Sequence, residues 1–465
     1  MFSTSLRAAV ATVSTLVAAS SAMGVGTAAA AGSPAPGVQS APGLVEGIDI
    51  QDYDVALEYR AASTDMNGHA TLKVNAAQDL SGFAFNFMDG QVSKITVDGK
   101  AAAFTYAGNQ IRVTDTKLSR GTSFTVAVDY VVNRSGPSAD KHWEETGDGF
   151  TQDWSFDCVT FPCGTDQNDR ATYTFRITTP KNVTGLAVGE LTATKPVSQD
   201  RKEYDYKVRH PIRPDSTTIA VGPYTETTRP GPHGTTLRAI FPTSEQQASQ
   251  PTLNSMSEQM TWMTGKLGPY PYESYGIFNP LKGRAHSSHG LNLVSGRGPI
   301  ETNSTTVHEF NHQWFGESVG NKTRNDEWLT EGHAHFYGVW GSTPETRGSE
   351  SGFATEMRMF YEMDQSARDK GGAPAALKPG VDEGLTRTGG AVALFALRQK
   401  VGPGTFEKIE RAYLDRYRDQ DPSTDNFITT ASEVAGTDLR GFLTPWLYGE
   451  KTPAMPGHPD WTLTP

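Results

Sequence analysis

Two histidines four residues apart constrain the fold of this chain more than any other feature of its sequence. They are His308 and His312, in the segment HEFNHQWFGESVGNKTRNDEWLTEGHAHFYG. Side chains spaced by four lie one turn apart on the same face of an α-helix, so both imidazoles can reach a single metal ion. Glu331 follows after a turn-rich break, GESVGNKTRND. A second, antiparallel helix would bring its carboxylate beside the histidines, so the segment predicts two helices that share one metal site.

The ligand types in this segment indicate zinc. Two neutral nitrogens and one carboxylate leave the fourth position of a tetrahedral zinc ion open to water, which is typical of a catalytic site. Glu309 lies beside the histidines and can act as the general base on that water. Zinc would activate the water and polarise the scissile carbonyl, which predicts hydrolysis of a peptide bond without a covalent intermediate. We expect one zinc ion per chain, because the sequence shows one complete ligand set.

A chance H-E-x-x-H match is the alternative to a zinc site. The helical context, a third ligand of suitable type and an export signal all favour zinc. Residues 1–31 contain one early arginine, a run of Ala, Val and Leu, and then small residues that offer a signal-peptidase site. A membrane anchor is the other interpretation of this run, but the run is weakly hydrophobic and ends in small residues. We therefore expect a secreted protein with no stable membrane span after signal cleavage.

Charge and cysteine content narrow the function further. The formal net charge is −11, and no basic block occurs along the chain, so nucleic acid is not an expected partner. The only cysteines are Cys158 and Cys163, in the segment DCVTFPC. In an oxidising compartment we expect one local disulfide between them. A zinc site at this loop would need more thiols or histidines than the loop supplies.

The period of the hydrophobic pattern changes along the chain. Residues 32–45 form a Pro-rich leader that we expect to be disordered. Residues 46–238 alternate apolar with polar side chains, as in SFTVAVDYVV at 123–132, which predicts a β-sandwich domain. Residues 239–450 show helical spacing and predict a mainly helical domain with a small sheet, and residues 451–465 form a tail. The predicted fold class is multidomain α+β.

The zinc segment resembles a known signature. HEFNHQWFG and NKTRNDEWLTEGH resemble the zinc site of the aminopeptidase N family of zinc metallopeptidases, the gluzincins, which also contains leukotriene hydrolases. LGPYPYESYG and DLRGFLTPWLYGEKTPAMPG resemble the start and the end of that family's catalytic domain, and the similarity extends over about residues 50–457. The resemblance implies an N-terminal β-sandwich, a thermolysin-like catalytic domain, zinc on His308, His312 and Glu331, and Glu309 as base. It also implies a peptide or protein substrate and a compact form without the family's long C-terminal helical domain.

Two positions depart from the family pattern. Aminopeptidases of this family carry a Gly-x-Met-Glu-Asn strand whose glutamate holds the substrate's free amine, and that position falls on Ser287, which carries no charge. The family's oxyanion-stabilising tyrosine falls on Arg387, or on Leu385 if the gap is placed differently. Arg387 either replaces the tyrosine as a cationic oxyanion donor or has a structural role. An exopeptidase and an endopeptidase both remain open, because they share the metal chemistry and differ in how they hold the substrate.

Four further histidines lie close to the motif in sequence. His333 and His335 follow Glu331 on its helix, and His335 either makes a hydrogen bond near the site or only packs there. We expect His286 and His289 to line the cleft.

Two functions therefore compete. The first is an active secreted metallopeptidase, which the intact Glu309 favours, because a general base has little reason to persist in a scaffold. The second is a zinc-binding protein of the same fold with impaired catalysis that acts as a binding or scaffold protein. Ser287 and Arg387 favour the second function, or a changed specificity.

Overall fold

The structure is a computed structural model that describes residues 47–152, 158–381 and 384–463. The predicted signal peptide, residues 1–31, and the leader, residues 32–45, lie outside these ranges. Among the helices within the ranges, none combines the length and the apolar character that crossing a bilayer requires.

Strands dominate the first half of the described chain. Most of the longer strands alternate buried and exposed residues, so each presents one face to a core. In chain order the strands are β1 (Ile48–Glu58), β2 (Asp65–Ala76), β3 (Phe83–Asn86), β4 (Gln91–Val97), β5 (Lys100–Ala101), β6 (Phe104–Ala107), β7 (Gln110–Val113), β8 (Ser123–Asn133), β9 (Trp143–Thr146), β10 (Gly149–Gln152), β11 (Cys163–Gly164), β12 (Ala171–Pro180), β13 (Thr184–Ala187), β14 (Glu190–Pro196), β15 (Arg201–Ile212), β16 (Ile219–Gly222), β17 (Tyr224–Pro230), β18 (Thr236–Pro242), β19 (Ser274–Phe278), β20 (His286–Ser288), β21 (Leu291–Leu293), β22 (Gly372–Ala373) and β23 (Ala376–Leu377).

Helices make up most of the chain from residue 249 onward. The α-helices are α1 (Ala139–His142), α2 (Ser249–Leu267), α3 (Ser304–Asn311), α4 (His333–Gly341), α5 (Pro344–Gly348), α6 (Glu350–Gly371), α7 (Gly384–Val401), α8 (Pro403–Arg416), α9 (Thr424–Ala435) and α10 (Arg440–Tyr448). A π-helical turn, Trp328–Gly332, leads directly into α4. Short 3-10 turns occupy Pro214–Ser216, Pro232–Gly234, Thr243–Ala248 and Arg324–Asp326.

The strands before residue 223 form a sandwich. One sheet has eight strands in the order β14-β15-β12-β1-β2-β8-β4-β5, with β1 and β12 parallel and the other pairs antiparallel. Two four-stranded sheets, β13-β16-β10-β9 and β11-β3-β7-β6, share one hydrophobic core with it. Aromatic rings join the layers: Phe83 lies 5.5 Å from Phe124, and Tyr59 lies 5.8 Å from Phe150. The predicted β-sandwich followed by a mainly helical part is confirmed.

A five-stranded sheet connects the sandwich to the helices. Its order is β17-β18-β19-β21-β20, and β20 is an edge strand, antiparallel to β21. The boundary predicted at residue 238 falls inside β18, because β18 pairs with β17 on one side and with β19 on the other.

Two local predictions concern the cysteine loop and the C-terminal tail. Cys158 and Cys163 form a disulfide with their Cα atoms 5.8 Å apart, as the sequence predicted. The predicted tail, residues 451–465, packs on the helices as far as it is described, because Trp461 stacks on Phe395 with ring centroids 5.7 Å apart.

The stability of the sandwich should depend on pH because of one buried carboxylate, that of Asp169. Its carboxylate accepts the backbone N–H of Ile50 at 2.9 Å, just before β12 begins. Burial raises the pKa of Asp169 to about 7 against the lowering effect of that hydrogen bond, and the nearby Asp49 and Asp166 add to the rise. An unfolded aspartate titrates near ~3.9. The unfolded chain therefore binds fewer protons between these two pH values, and the free energy of unfolding falls as pH rises through them.

Replacing Asp169 by asparagine should remove this dependence and keep an acceptor for the Ile50 N–H. We expect the thermal unfolding midpoint of the natural protein to fall relative to Asp169→Asn between pH 5 and pH 8, by about 2 °C or more. Asp79→Asn is the matched control, because Asp79 also accepts a backbone N–H but is exposed. Equal midpoint differences at both pH values would contradict the assignment.

Candidate metal centre

The helix that carries the first histidine begins at a capped residue. Asn303 accepts the backbone N–H of Thr306 at 3.0 Å, and Thr306 Oγ1 accepts the backbone N–H of Asn303 at 2.9 Å. These two bonds satisfy N–H groups that the helix leaves without partners. Val307 and Phe310 bury one face of α3 in the core, and His308 lines a cleft on the other face.

His312 follows the last residue of α3, and the backbone orients its ring. Its Nδ1 lies 3.0 Å from the carbonyl oxygen of Phe315. A carbonyl only accepts hydrogen bonds, so Nδ1 carries the proton and Nε2 keeps a lone pair for a metal. The Nε2 atoms of His308 and His312 lie 3.2 Å apart.

The π-helical turn brings Glu331 to the same point. Its Oε2 lies 3.5 Å from His308 Nε2, and its Oε1 lies 3.5 Å from His312 Nε2. Ligand atoms about 2.0–2.1 Å from a tetrahedral zinc ion are separated by roughly 3.3 Å. The three observed distances therefore fit one ion of this kind, and in the described chain no other set of three or more His, Cys, Asp and Glu residues comes together this closely.

Burial and the histidines set the charge states of the two glutamates. Burial alone would raise the pKa of Glu331, but a hydrogen bond from His308 and the proximity of His312 hold that pKa far below its usual range. Burial raises the pKa of Glu309, whose side chain is 8% exposed and lines the same cleft, although both histidines oppose the rise. The site thus holds a firmly ionised ligand beside a second carboxylate that holds a proton more strongly.

Gln313 joins the metal helix to the edge strand, and sequence reasoning missed it. Its Nε2 donates to Ser287 Oγ at 2.8 Å and to Asn292 Oδ1 at 2.9 Å. Its Oε1 accepts the backbone N–H of Gly290 at 2.8 Å and the hydroxyl of Tyr270 at 3.3 Å. A fully buried amide with this many partners fixes the distance between α3 and β20. Its position beside His312 in the motif was the only signal that could have identified it.

Two glycines let the ligand-bearing turn approach α7. A Cβ on Gly390 would lie 2.8 Å from the Cα of Gly332, and one on Gly332 would lie 2.9 Å from the Cα of Gly390. This backbone contact places Arg387 of α7 beside the metal ligands, with its Nε 3.7 Å from Glu331 Oε2. Arg387 therefore lines the cleft, as expected for either of its two predicted roles.

The remaining candidate residues fall in different places. Ser287 lines the cleft from β20. The side chain of Leu385 lies outside the described part of the chain. The cleft that Ser287 shares with the candidate ligands has a volume of about 820 Å³.

Two of the four additional histidines line the cleft and two do not. His286 lines the cleft, whereas His289 is buried against the ring of Tyr272, with centroids 4.1 Å apart. His335 lines the cleft, and burial lowers its pKa to about 4. His333 faces the other way and pairs with the buried Glu410 at 3.1 Å.

Residues 295–446 match the Peptidase family M1 domain. The chain carries an M1 peptidase domain. The match includes both elements that hold the candidate ligands. Leukotriene A-4 hydrolase from Xenopus laevis is 25% identical over 323 residues, which cover 63% of this chain and 51% of that protein. Glutamyl aminopeptidase from Rattus norvegicus is 21% identical over 312 residues, which cover 62% of this chain and 33% of that protein.

These two curated relatives are much longer than the part they share with this chain, which spans about half of one and a third of the other. A solved structure matches over almost its whole length. The M1 zinc metallopeptidase from Deinococcus radiodurans, as a mutant bound to a Tyr-Ser-Ala substrate, has a TM-score of 0.76 and 24% identity over 89% of this chain and 97% of that one. A two-domain M1 zinc metallopeptidase mutant bound to L-tryptophan gives a TM-score of 0.76 at 23% identity. The chain therefore has the compact two-domain fold of these structures, as the resemblance implied.

The glycine contact predicts a sharp mutational effect. Gly390→Ala should push the turn that carries Glu331 away from α7 and lower the free energy of unfolding by about 1–3 kcal/mol. Gly265→Ala is the matched control, because Gly265 lies inside α2 and a Cβ there would contact nothing within 4 Å. That change should be neutral or stabilising by up to about 1 kcal/mol. Thermal unfolding of both variants tests the contact, and equal midpoints would contradict it.

Proposed function

We propose that this chain is a zinc-dependent metallopeptidase that hydrolyses peptide bonds with Glu309 as general base. The proposal is carried by the convergence of two imidazole nitrogens and one carboxylate within 4.8 Å of one another, with the carboxylate of Glu309 lining the same cleft. The M1 domain supports it, because the matched structures are zinc metallopeptidases.

His308, His312 and Glu331 would hold one zinc ion. When bound, zinc supplies a Lewis acid that polarises the scissile carbonyl and makes water more acidic. The proton transfers of the reaction use a residue of the chain itself. Glu309 accepts a proton from water at its carboxylate and donates it to the leaving amine, so the general base becomes the general acid.

Arg387 supplies a cation beside Glu331, with its Nε 3.7 Å from Glu331 Oε2. Its side chain is 46% exposed and reaches the cleft, so its guanidinium can stabilise negative charge that develops on the carbonyl oxygen. The substrate is a peptide or protein. Export to the cell exterior is part of the proposal, on the grounds of the signal-like sequence of residues 1–31.

Two variants separate an active enzyme from a zinc-binding scaffold. His312→Ala should lose both zinc and turnover, because only two ligands remain. Glu309→Gln should keep zinc and lose turnover by at least about 100-fold, because an amide cannot accept the proton. Metal analysis and cleavage of an internally quenched peptide measure the two properties on the same samples. Undiminished zinc in His312→Ala would refute the ligand assignment, and equal cleavage by the natural protein and Glu309→Gln would favour the scaffold.

The edge strand governs how the substrate's end is held. Ser287 lies on β20, at the position where related aminopeptidases place a glutamate, and its Oγ accepts a hydrogen bond from Gln313. A charge-assisted bond to a substrate ammonium contributes about 1.5–3 kcal/mol, and a serine hydroxyl does not supply it. We therefore propose that this peptidase binds the free amino terminus of its substrate only weakly.

Paired substrates test this proposal directly. The ratio of kcat/KM for a free and an N-acetylated peptide of one sequence should be below about 10, and Ser287→Glu should raise it. The zinc content of the variant controls for damage to the metal centre. A ratio above about 100 for the natural protein would show that another group holds the ammonium.

A further inference from the structure

Three exposed cations stand on the wall of the cleft without carboxylate partners. They are Lys141 in α1, Arg284 just before β20, and Lys322 in the segment that follows α3. Within the described ranges, no carboxylate lies within 4.0 Å of any of the three. They come from three separate parts of the chain, so the fold alone brings them to one cleft.

Four of the five acidic residues that line the same wall have another role or are buried. Asp215 pairs with Arg213 at 3.2 Å, and Glu317 is only 7% exposed. Glu309 and Glu331 belong to the metal centre.

The fifth acid of the wall is Glu327, which is partly buried, and Arg324, three residues earlier in the chain, adds one positive charge to the same wall. Among the described residues of this wall, the three exposed charges with no opposite charge within 4.0 Å are therefore positive, on a chain whose formal net charge is −11. A cleft lined by charge of one sign concentrates its field and raises the local concentration of oppositely charged ligands.

We infer that the cleft selects peptides that carry carboxylates near the bond to be cleaved, and that Lys141, Arg284 and Lys322 bind those carboxylates. The inference rests on the proposed peptidase function for the identity of the bond. The carboxylates have two sources, the side chains of Asp and Glu or the C-terminus of a short peptide.

The test uses four internally quenched peptides of one length. Two contain Glu and Asp around the scissile bond and two contain Gln and Asn, and each version is made with a free and an amidated C-terminus. At low salt the natural protein should cleave the acidic peptides about tenfold faster in kcat/KM than the neutral ones. The preference should shrink in 0.5 M NaCl, because salt screens exposed charges. A preference that follows the free C-terminus instead of the side chains assigns the same cations to a terminal carboxylate.

A matched pair of triple variants locates the effect. Lys141→Gln, Arg284→Gln and Lys322→Gln together should bring the ratio of acidic to neutral kcat/KM close to one. The control, Lys94→Gln, Lys100→Gln and Lys117→Gln, changes the net charge equally at exposed positions outside the cleft wall and should leave the ratio unchanged. Equal losses in both variants, or a full preference in the first, would overturn the inference.

A binding measurement separates this inference from the peptidase proposal. Fluorescence anisotropy of the labelled acidic and neutral peptides with the Glu309→Gln protein reports selection without turnover. Tighter binding of the acidic peptide, lost in the cleft variant and kept in the control variant, supports the inference even if no hydrolysis is found. Equal binding of both peptides overturns it.

Discussion

The metal centre depends on a close contact between two stretches of backbone. The turn that carries Glu331 reaches the histidines because Gly332 and Gly390 leave room for the turn to lie directly on α7. The same contact places Arg387 next to Glu331. A metal site tolerates errors of only a few tenths of an ångström in ligand position. A side chain larger than hydrogen at this crossing would therefore move a ligand and the neighbouring cation together.

Buried polar groups hold the histidine helix in place on its other sides. Gln313 bonds to Ser287 on the edge strand, to Gly290 and Asn292 next to that strand, and to Tyr270. Arg170, just before β12 of the sandwich, donates to the carbonyl of Glu317 at 2.9 Å and forms a bidentate, largely buried pair with Asp421. Such paired, hydrogen-bonded charges fix geometry more than they add stability. The sandwich therefore contributes to the position of the metal centre although it supplies none of the ligands.

The cleft combines a general chemistry with a particular choice of substrate. In the proposed mechanism His308, His312, Glu331 and Glu309 act on the peptide bond itself and not on a substrate side chain. Selectivity has to come from the wall. The wall holds the uncharged Ser287 of β20, where the family resemblance implies a glutamate, and three cations with no carboxylate within 4.0 Å among the described residues. Both features favour recognition of carboxylates over recognition of a free amino terminus.

The sequence by itself determined the features that depend on short-range spacing. The alternation of residues 46–238 predicted the sandwich, the four-residue spacing predicted that His308 and His312 share a face, and the loop between Cys158 and Cys163 was short enough to predict their disulfide. The family signature, not spacing, supplied the expectation for Ser287 and Arg387. Only the tertiary structure decided which distant groups meet. Segments far apart in sequence form the contact between Gly332 and Gly390, the hydrogen bonds of Gln313 and the group of three cations on the cleft wall. No local period in the sequence encodes such contacts. These contacts form because each helix and sheet packs as a rigid unit. Which residues become neighbours therefore depends on how all the buried surfaces of the protein fit together.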